Sequence, residues 1–198
     1  MKLRKIALFV IFLLGLLASH TYSQIKHTGV PFIRNYDRDE YLAGRQIWGV
    51  AQDDHNVIYF ANNSGVLEFD GTHWQLFPLS NRSVVRDVAV GDSGRVYMGG
   101  FNEFGYLQTR ENGKRAYYSL TDKVPQGYRD FGEVWKILVT DNGVIFQSFS
   151  SVFFYSNGEI KVLAHDRNFH FAFYVGGDLY ISEREGGWMK YNGQDFET

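Results

Sequence analysis

Four of this chain's five Asp-Gly or Asn-Gly pairs fall at a nearly even spacing, and that spacing limits what it can fold into. They are Asp70-Gly71, Asn112-Gly113, Asn157-Gly158 and Asn192-Gly193, with the glycines 42, 45 and 35 residues apart. Such a pair between strand-like runs is the strongest short hairpin signal, because both central residues of a type I′ turn need positive φ. A second turn precedes each pair: DDHN at 53–56, GDSG at 91–94, TDNG at 140–143 and VGGD at 175–178. Apolar, aromatic-rich runs flank every one of these turns, as IWGVA at 47–51 and VIYFA at 57–61 flank DDHN. GVLEFDGTHW at 65–74 and GWMKYNGQDF at 187–196 even match in residue class at every position.

The repeating unit is therefore strand, tight turn, strand, short loop, strand, Asx-Gly turn, strand, written four times with a period near 40. Four short strands per unit at that period are the mark of a β-propeller. With 34 aromatics, 21 glycines and 3 prolines in 198 residues, the composition is that of an all-β protein. A β-sandwich also places turns every 8–12 residues, but it has no reason to repeat two turn types in one order. The expected organisation is a lead-in at 24–45, then blades at 46–82, 83–131, 132–167 and 168–198. The four blades read as an incomplete part of a larger propeller. A closed four-bladed ring, with 29–45 supplying a closing strand, is the alternative.

Residues 1–23 stand apart. Lys2, Arg4 and Lys5 precede an apolar run from Ile6 to Ala18, then small and polar residues, which is the layout of a secretory signal. A retained signal-anchor is the alternative, although 13 apolar residues are short for a membrane span. There is no cysteine, so an exported chain of this sequence is held by burial and hydrogen bonds rather than disulfides. Without the signal's three cations, 17 basic residues face 22 acidic ones. An acidic, unpatterned balance excludes the basic footprint that nucleic-acid binding needs.

PFIRNYDRDEYLAGRQIWGVAQDDHNVIYFANNSGVLEFDGTHWQLFPL resembles the first blade of the two-component-regulator propeller family, and NRSVVRDVAVGDSGRVYMGGFNEFGYL resembles its continuation. ANNSGVLEFDG and GGFNEFGYL are the most specific pieces, and the likeness runs from about residue 29 to 198. These are exported sensor regions of Gram-negative regulators, including hybrid histidine kinases and regulators with a triple-tyrosine domain and a helix-turn-helix output. The resemblance implies a periplasmic, non-catalytic, ligand-sensing propeller, the ectodomain of an inner-membrane protein when full length. It also implies a dimer as one state of the full-length protein. Membrane attachment would come through a downstream helix or a retained signal, and no output module lies in these 198 residues.

In a blade, the first-to-second and third-to-fourth turns share one face. Here these are the tight Asx and Gly turns, which leave little room for a ligand. The opposite face carries the longer connections ANNSG, GGFNEFG, SFSS and SEREGG, with LSNRSV and SLTDKVPQGYRDFGE between blades. Varied loops on a rigid scaffold are where binding residues sit. The candidates are Asn62, Asn63, Asn102, Glu103, Phe104, Arg129, Asp130, Glu183 and Arg184, whose amides, charges and ring suit a small-molecule or glycan ligand. The competing reading gives the asparagines to loop caps and Glu103 to an arginine of a neighbouring blade. Trp48 and Trp135 hold matching places on the innermost strands, where the other units carry Arg86 and Phe171. Packing between adjacent blades is the expected role of both tryptophans, and an aromatic channel lining is the alternative.

GDSG is a turn rather than a serine-protease segment, since TDNG takes its place in another unit. Asp53, Asp54, His55 and Asn56 lack the spacing of a calcium loop, and no His pair has zinc spacing, so no metal or cofactor is expected. Two sequons, NNS and NRS, matter only in a eukaryotic secretory route. A ligand-sensing ectodomain is the leading reading. The alternatives are an exported glycan lyase or hydrolase, for which no compelling carboxylate pair stands out, and a protein-interaction scaffold.

Overall fold

A computed structural model describes residues 29, 33–92, 94–164 and 169–198. The signal segment lies outside the described residues. The chain divides into two units, up to Asn35 and from Tyr36 to Thr198, and the second contains every strand found among the described residues.

Sixteen strands form four separate four-stranded sheets, each an antiparallel meander in chain order. Blade I holds β1 (Ile47–Gln52), β2 (Ile58–Asn62), β3 (Gly65–Phe69) and β4 (Trp74–Phe77). Blade II holds β5 (Val85–Val90), β6 (Val96–Gly100), β7 (Glu103–Thr109) and β8 (Arg115–Ser119). Blade III holds β9 (Lys136–Thr140), β10 (Gly143–Gln147), β11 (Ser151–Ser156) and β12 (Glu159–Ala164). Blade IV holds β13 (Phe169–Val175), β14 (Asp178–Glu183), β15 (Trp188–Tyr191) and β16 (Phe196–Glu197).

Strand alternation explains how blades stack. Successive side chains of a strand point to opposite faces, so a middle strand serves two neighbours at once. In β10, Val144 and Phe146 enter the core shared with blade II, while Ile145 enters the core shared with blade IV. The II–III core also takes Leu120, Val124 and Phe131 from the connection between those blades. Tyr59, Val66, Val88, Val96, Met98 and Leu107 build the equivalent core between blades I and II.

Three such cores join the four blades in sequence, and among the described residues none joins blade IV to blade I. The outward face of blade IV leaves Phe173, Val175 and Trp188 exposed, Trp188 at 59%. Among the described residues of 29–45, none forms the closing strand of the four-bladed alternative. Residues 36–46 contain a short helix, α1 (Arg38–Tyr41), and no strand among the described residues adds to either end sheet. This segment instead lies on the outer part of blade I, where Tyr36 and Tyr41 pack edge-on or tilted against Trp74.

The four evenly spaced Asx-Gly pairs sit between third and fourth strands, but they use two geometries. Only Asn157-Gly158 is a two-residue loop with both φ positive, 52° and 83°, the type I′ form. The other three connections are longer, and positive φ is confined to their glycines. There the Asx side chain closes the turn. Asp70 Oδ1 accepts from Thr72 and His73 N–H at 2.8 and 2.7 Å, and Asn192 Oδ1 from Gln194 and Asp195 N–H, both at 2.9 Å. Asn112 Oδ1 accepts from Lys114 N–H at 3.1 Å. Loop length decides which property of the pair is used: the left-handed backbone in a two-residue loop, the side-chain acceptor in a longer one.

Candidate functional site

The loop face is organised by a defect repeated at the start of the innermost strands. Ile47 pairs with Asn62 and Gly49 with Ala61, so Trp48 is one residue too many for its partner strand. Arg86 is the extra residue between the pairs Val85–Gly100 and Asp87–Gly99. The register also shifts between Phe169 and Ala172, across His170 and Phe171. In blade III, Trp135 N–H donates to Gln147 O at 2.8 Å, although Gln147 already faces Lys136. A bulge takes a side chain out of the ladder's alternation and re-aims it. Three blades do this at one level, and in blade III Trp135 takes the matching place just before β9.

The re-aimed side chains meet. The Arg86 guanidinium lies between two indoles, 4.1 Å from the ring centre of Trp48 and 4.9 Å from that of Trp135. The two rings are themselves edge to face at 6.2 Å. Arg86 Nη2 donates to Glu133 Oε1 at 3.0 Å, and Trp48 Nε1 donates to Asn63 Oδ1 at 2.7 Å. Trp135 continues the belt by stacking on Phe149 at 5.4 Å, and Phe149 stacks on His170 and meets Phe171 edge-on. Trp48 is 37% exposed, and neither tryptophan belongs to an interblade core. Both tryptophans do meet the neighbouring blade, through Arg86, but at the bulged level rather than in an interblade core. Trp48 of blade I reaches Trp135 of blade III across Arg86 of blade II, and the bulges explain why.

Below this level in β5, Asp87 ties the inner strands of blades II and III together. Its Oδ2 accepts from Ile137 N–H at 2.9 Å and lies 3.8 Å from Lys136 Nζ, while Oδ1 accepts from Val88 N–H at 3.0 Å. A Cβ on Gly49 would come within 2.9 Å of Oδ1, so blade I must offer a glycine there. Burial pushes the Asp87 carboxyl above its ordinary range, against the pull of the Ile137 N–H.

The candidates read from the loops divide sharply. Asn63 joins the belt through Trp48. Asn62 is fully buried and saturated: Oδ1 accepts from Gly44 and Ser64 N–H, and Nδ2 donates to the carbonyls of Gly44 and Gln46. It clamps the entering chain to blade I and offers nothing to a ligand. Asn62→Ala should cost about 1–3 kcal/mol by stranding these backbone groups, measured as a lower denaturant midpoint. Glu103 is also internal. Its Oε1 accepts from Tyr117 at 2.7 Å, Ser119 at 2.6 Å and Thr121 at 3.2 Å, all hydroxyls of its own blade or the connection after it, rather than from an arginine. Burial, together with that carboxylate, pushes the Tyr117 phenol far up. Phe104 is fully buried against Phe131, Phe146 and Phe153.

Asn102 and Asp130 hold two loops together, through Asn102 Nδ2 to Asp130 Oδ1 at 3.0 Å and Gly132 N–H to Asn102 Oδ1 at 2.6 Å. Arg129 caps its own connection, donating to the carbonyls of Val124 and Asp122, each at 2.8 Å. Glu183 ends β14, and Arg184 follows it, exposed, in the loop before β15. The belt's Glu133, Phe149 and His170 escaped notice in the sequence, and Arg86 stood out only as the counterpart of the tryptophans. The one available signal was the matched position of Trp48, Arg86, Trp135 and Phe171.

The turn face is less empty than expected. Clefts open there at each blade junction, about 370 Å³ between I and II, 660 Å³ between II and III and 260 Å³ between III and IV. Among the described residues, no group of three or more His, Asp and Glu converges as metal ligands.

No family model matches the chain, and no curated protein does. Solved structures do match. The extracellular domain of BT3049, described as a hybrid two-component system of B. thetaiotaomicron, is 14% identical with a TM-score of 0.60, over 89% of this chain and 25% of that one. The extracellular domain of BT4673 from the same organism is 16% identical with a TM-score of 0.60, over 76% of this chain and 21% of that one. Virginiamycin B lyase of Staphylococcus aureus is 14% identical with a TM-score of 0.61, over 78% of this chain and 56% of that one. At these identities the likeness shows the fold, an incomplete β-propeller, shared with extracellular domains of the class of regulator that the sequence resembles. The chain spans about a quarter of the BT3049 domain.

Proposed function

We propose that this chain is the exported, periplasmic sensing region of a two-component-type receptor, and that it binds a glycan without transforming it. The observation that carries the reading is the belt of bulged inner-strand residues, Trp48, Arg86, Trp135 and Phe171. Ring faces cover the apolar faces of a sugar, and the edge groups of Asn63, Glu133 and His170 supply directional hydrogen bonds. The extracellular regulator domains that share the fold support a sensor, as does the signal-like start of the chain. The lyase that shares it gives a second reading, an exported enzyme. Against that, the loop-face carboxylates Glu103, Asp130 and Glu133 are each engaged by a neighbour rather than paired across a space.

Calorimetric screening of the exported region against a glycan library tests this. Saturable binding without turnover is the expected result, product formation favours the enzyme, and silence toward every glycan sinks the glycan reading. For the best binder, Trp48→Ala should lower affinity at least tenfold, about 1.4 kcal/mol. Trp48→Tyr, which keeps a ring face, should lose less. Asn62→Ala serves as the converse control, lowering stability but leaving affinity unchanged.

A further inference from the structure

The three clefts of the turn face differ in how they treat positive charge. Between blades I and II, Arg115 lines the cleft but is neutralised, with Glu68 at 3.1 Å and Asp53 at 3.9 Å. Between III and IV, no lysine or arginine lines the cleft. Between II and III, Arg95 lines it and has no carboxylate within ion-pair distance among the described residues. Its contacts are neutral. Nε donates to Gln108 Oε1 at 3.3 Å, and the guanidinium lies 4.6 Å from the Tyr106 ring centre. Packing over a ring restricts the movement of a guanidinium's planar fork, which recognises a carboxylate through two parallel hydrogen bonds.

The rest of that cleft narrows the ligand. Asn142 and Asn157 line it with the phenols of Tyr97 and Tyr155, all able to bond hydroxyl groups, and Asp141 stands on its exposed rim. A polyanion would meet Asp141, whereas hydroxyl donors would satisfy it. Its volume, about 660 Å³, is in the range of small-ligand sites. We propose that the cleft between blades II and III binds a small hydroxycarboxylate of the sugar-acid class, its carboxylate on Arg95 and its hydroxyls on Asn142, Asn157 and Asp141. This site lies on the face opposite the aromatic belt and does not depend on the function assigned to the belt.

Titration of the chain with sodium D-glucuronate, followed by calorimetry, is the test, with D-glucose and inorganic sulfate as comparators. The expected result is saturable binding of glucuronate at least tenfold tighter than of glucose or sulfate. Arg95→Met should weaken it at least tenfold, and Arg110→Met should leave it unchanged. Arg95 is only half-buried, so the variant should keep its fold by circular dichroism. Should it not, Arg95→Lys retains the charge without the fork and is expected to bind several-fold more weakly than wild type. Absence of glucuronate binding, equal binding by glucose or sulfate, or full affinity in the folded Arg95 variant overturns the assignment.

Discussion

Replacing Phe104 with alanine is expected to destabilise the protein by about 3–5 kcal/mol. The ring is fully buried where blades II and III meet, 4.4 Å from Phe146, 5.0 Å from Phe153 and 5.5 Å from Phe131 between ring centres. Two of those partners belong to blade III and one to the connection between the blades, so truncation opens a cavity that no single strand can collapse to fill. Urea denaturation should show a lower midpoint with an unchanged slope. A variant of wild-type stability with weakened ligand affinity would return Phe104 to the binding surface, where its loop-end position first placed it.

Asp87→Ala is expected to cost about 2–4 kcal/mol, because it strands the Ile137 N–H and removes the acceptor shared by blades II and III. Asp87→Asn should cost less, and its deficit should depend on pH in a defined sense. Burial raises the folded pKa above the unfolded value near 3.8, so the protonated form is the one that folding favours. The stability linked to that proton is complete below about 3.8 and is lost as pH rises through the folded pKa. Asparagine, which imitates the protonated side chain, should therefore gain on wild type as pH is raised from below that window to neutrality. Denaturation midpoints of both proteins across the window check the sign, and a gap that widens with rising pH contradicts the account.

The four-unit architecture was legible because its marks are local. A turn that needs positive φ or an Asx acceptor writes its requirement into two adjacent residues, and the same requirement recurs in each blade. The two uses of the Asx-Gly pair were not legible, since they depend on where the flanking ladders stop. The site was harder still. Asn62, Glu103 and Phe104 stand at the ends of β2 and β7 and look like loop residues, yet they turn inward. Trp48 and Arg86 lie inside β1 and β5 and look like ladder residues, yet a bulge turns them toward each other. One inserted residue reverses every facing prediction behind it, and nothing in the composition of IWGVA or VRDVAV marks the insertion.

Each bulge also frees one position per blade from the demands of its sheet. The extra residue has no opposite partner to match, so tryptophan, arginine and an aromatic pair occupy it in different blades of one molecule. Such a position can change its chemistry while the hairpins on either side keep theirs. A fold built in this way can acquire new recognition by substitution at a few interior points, without renegotiating the repeat that holds it up.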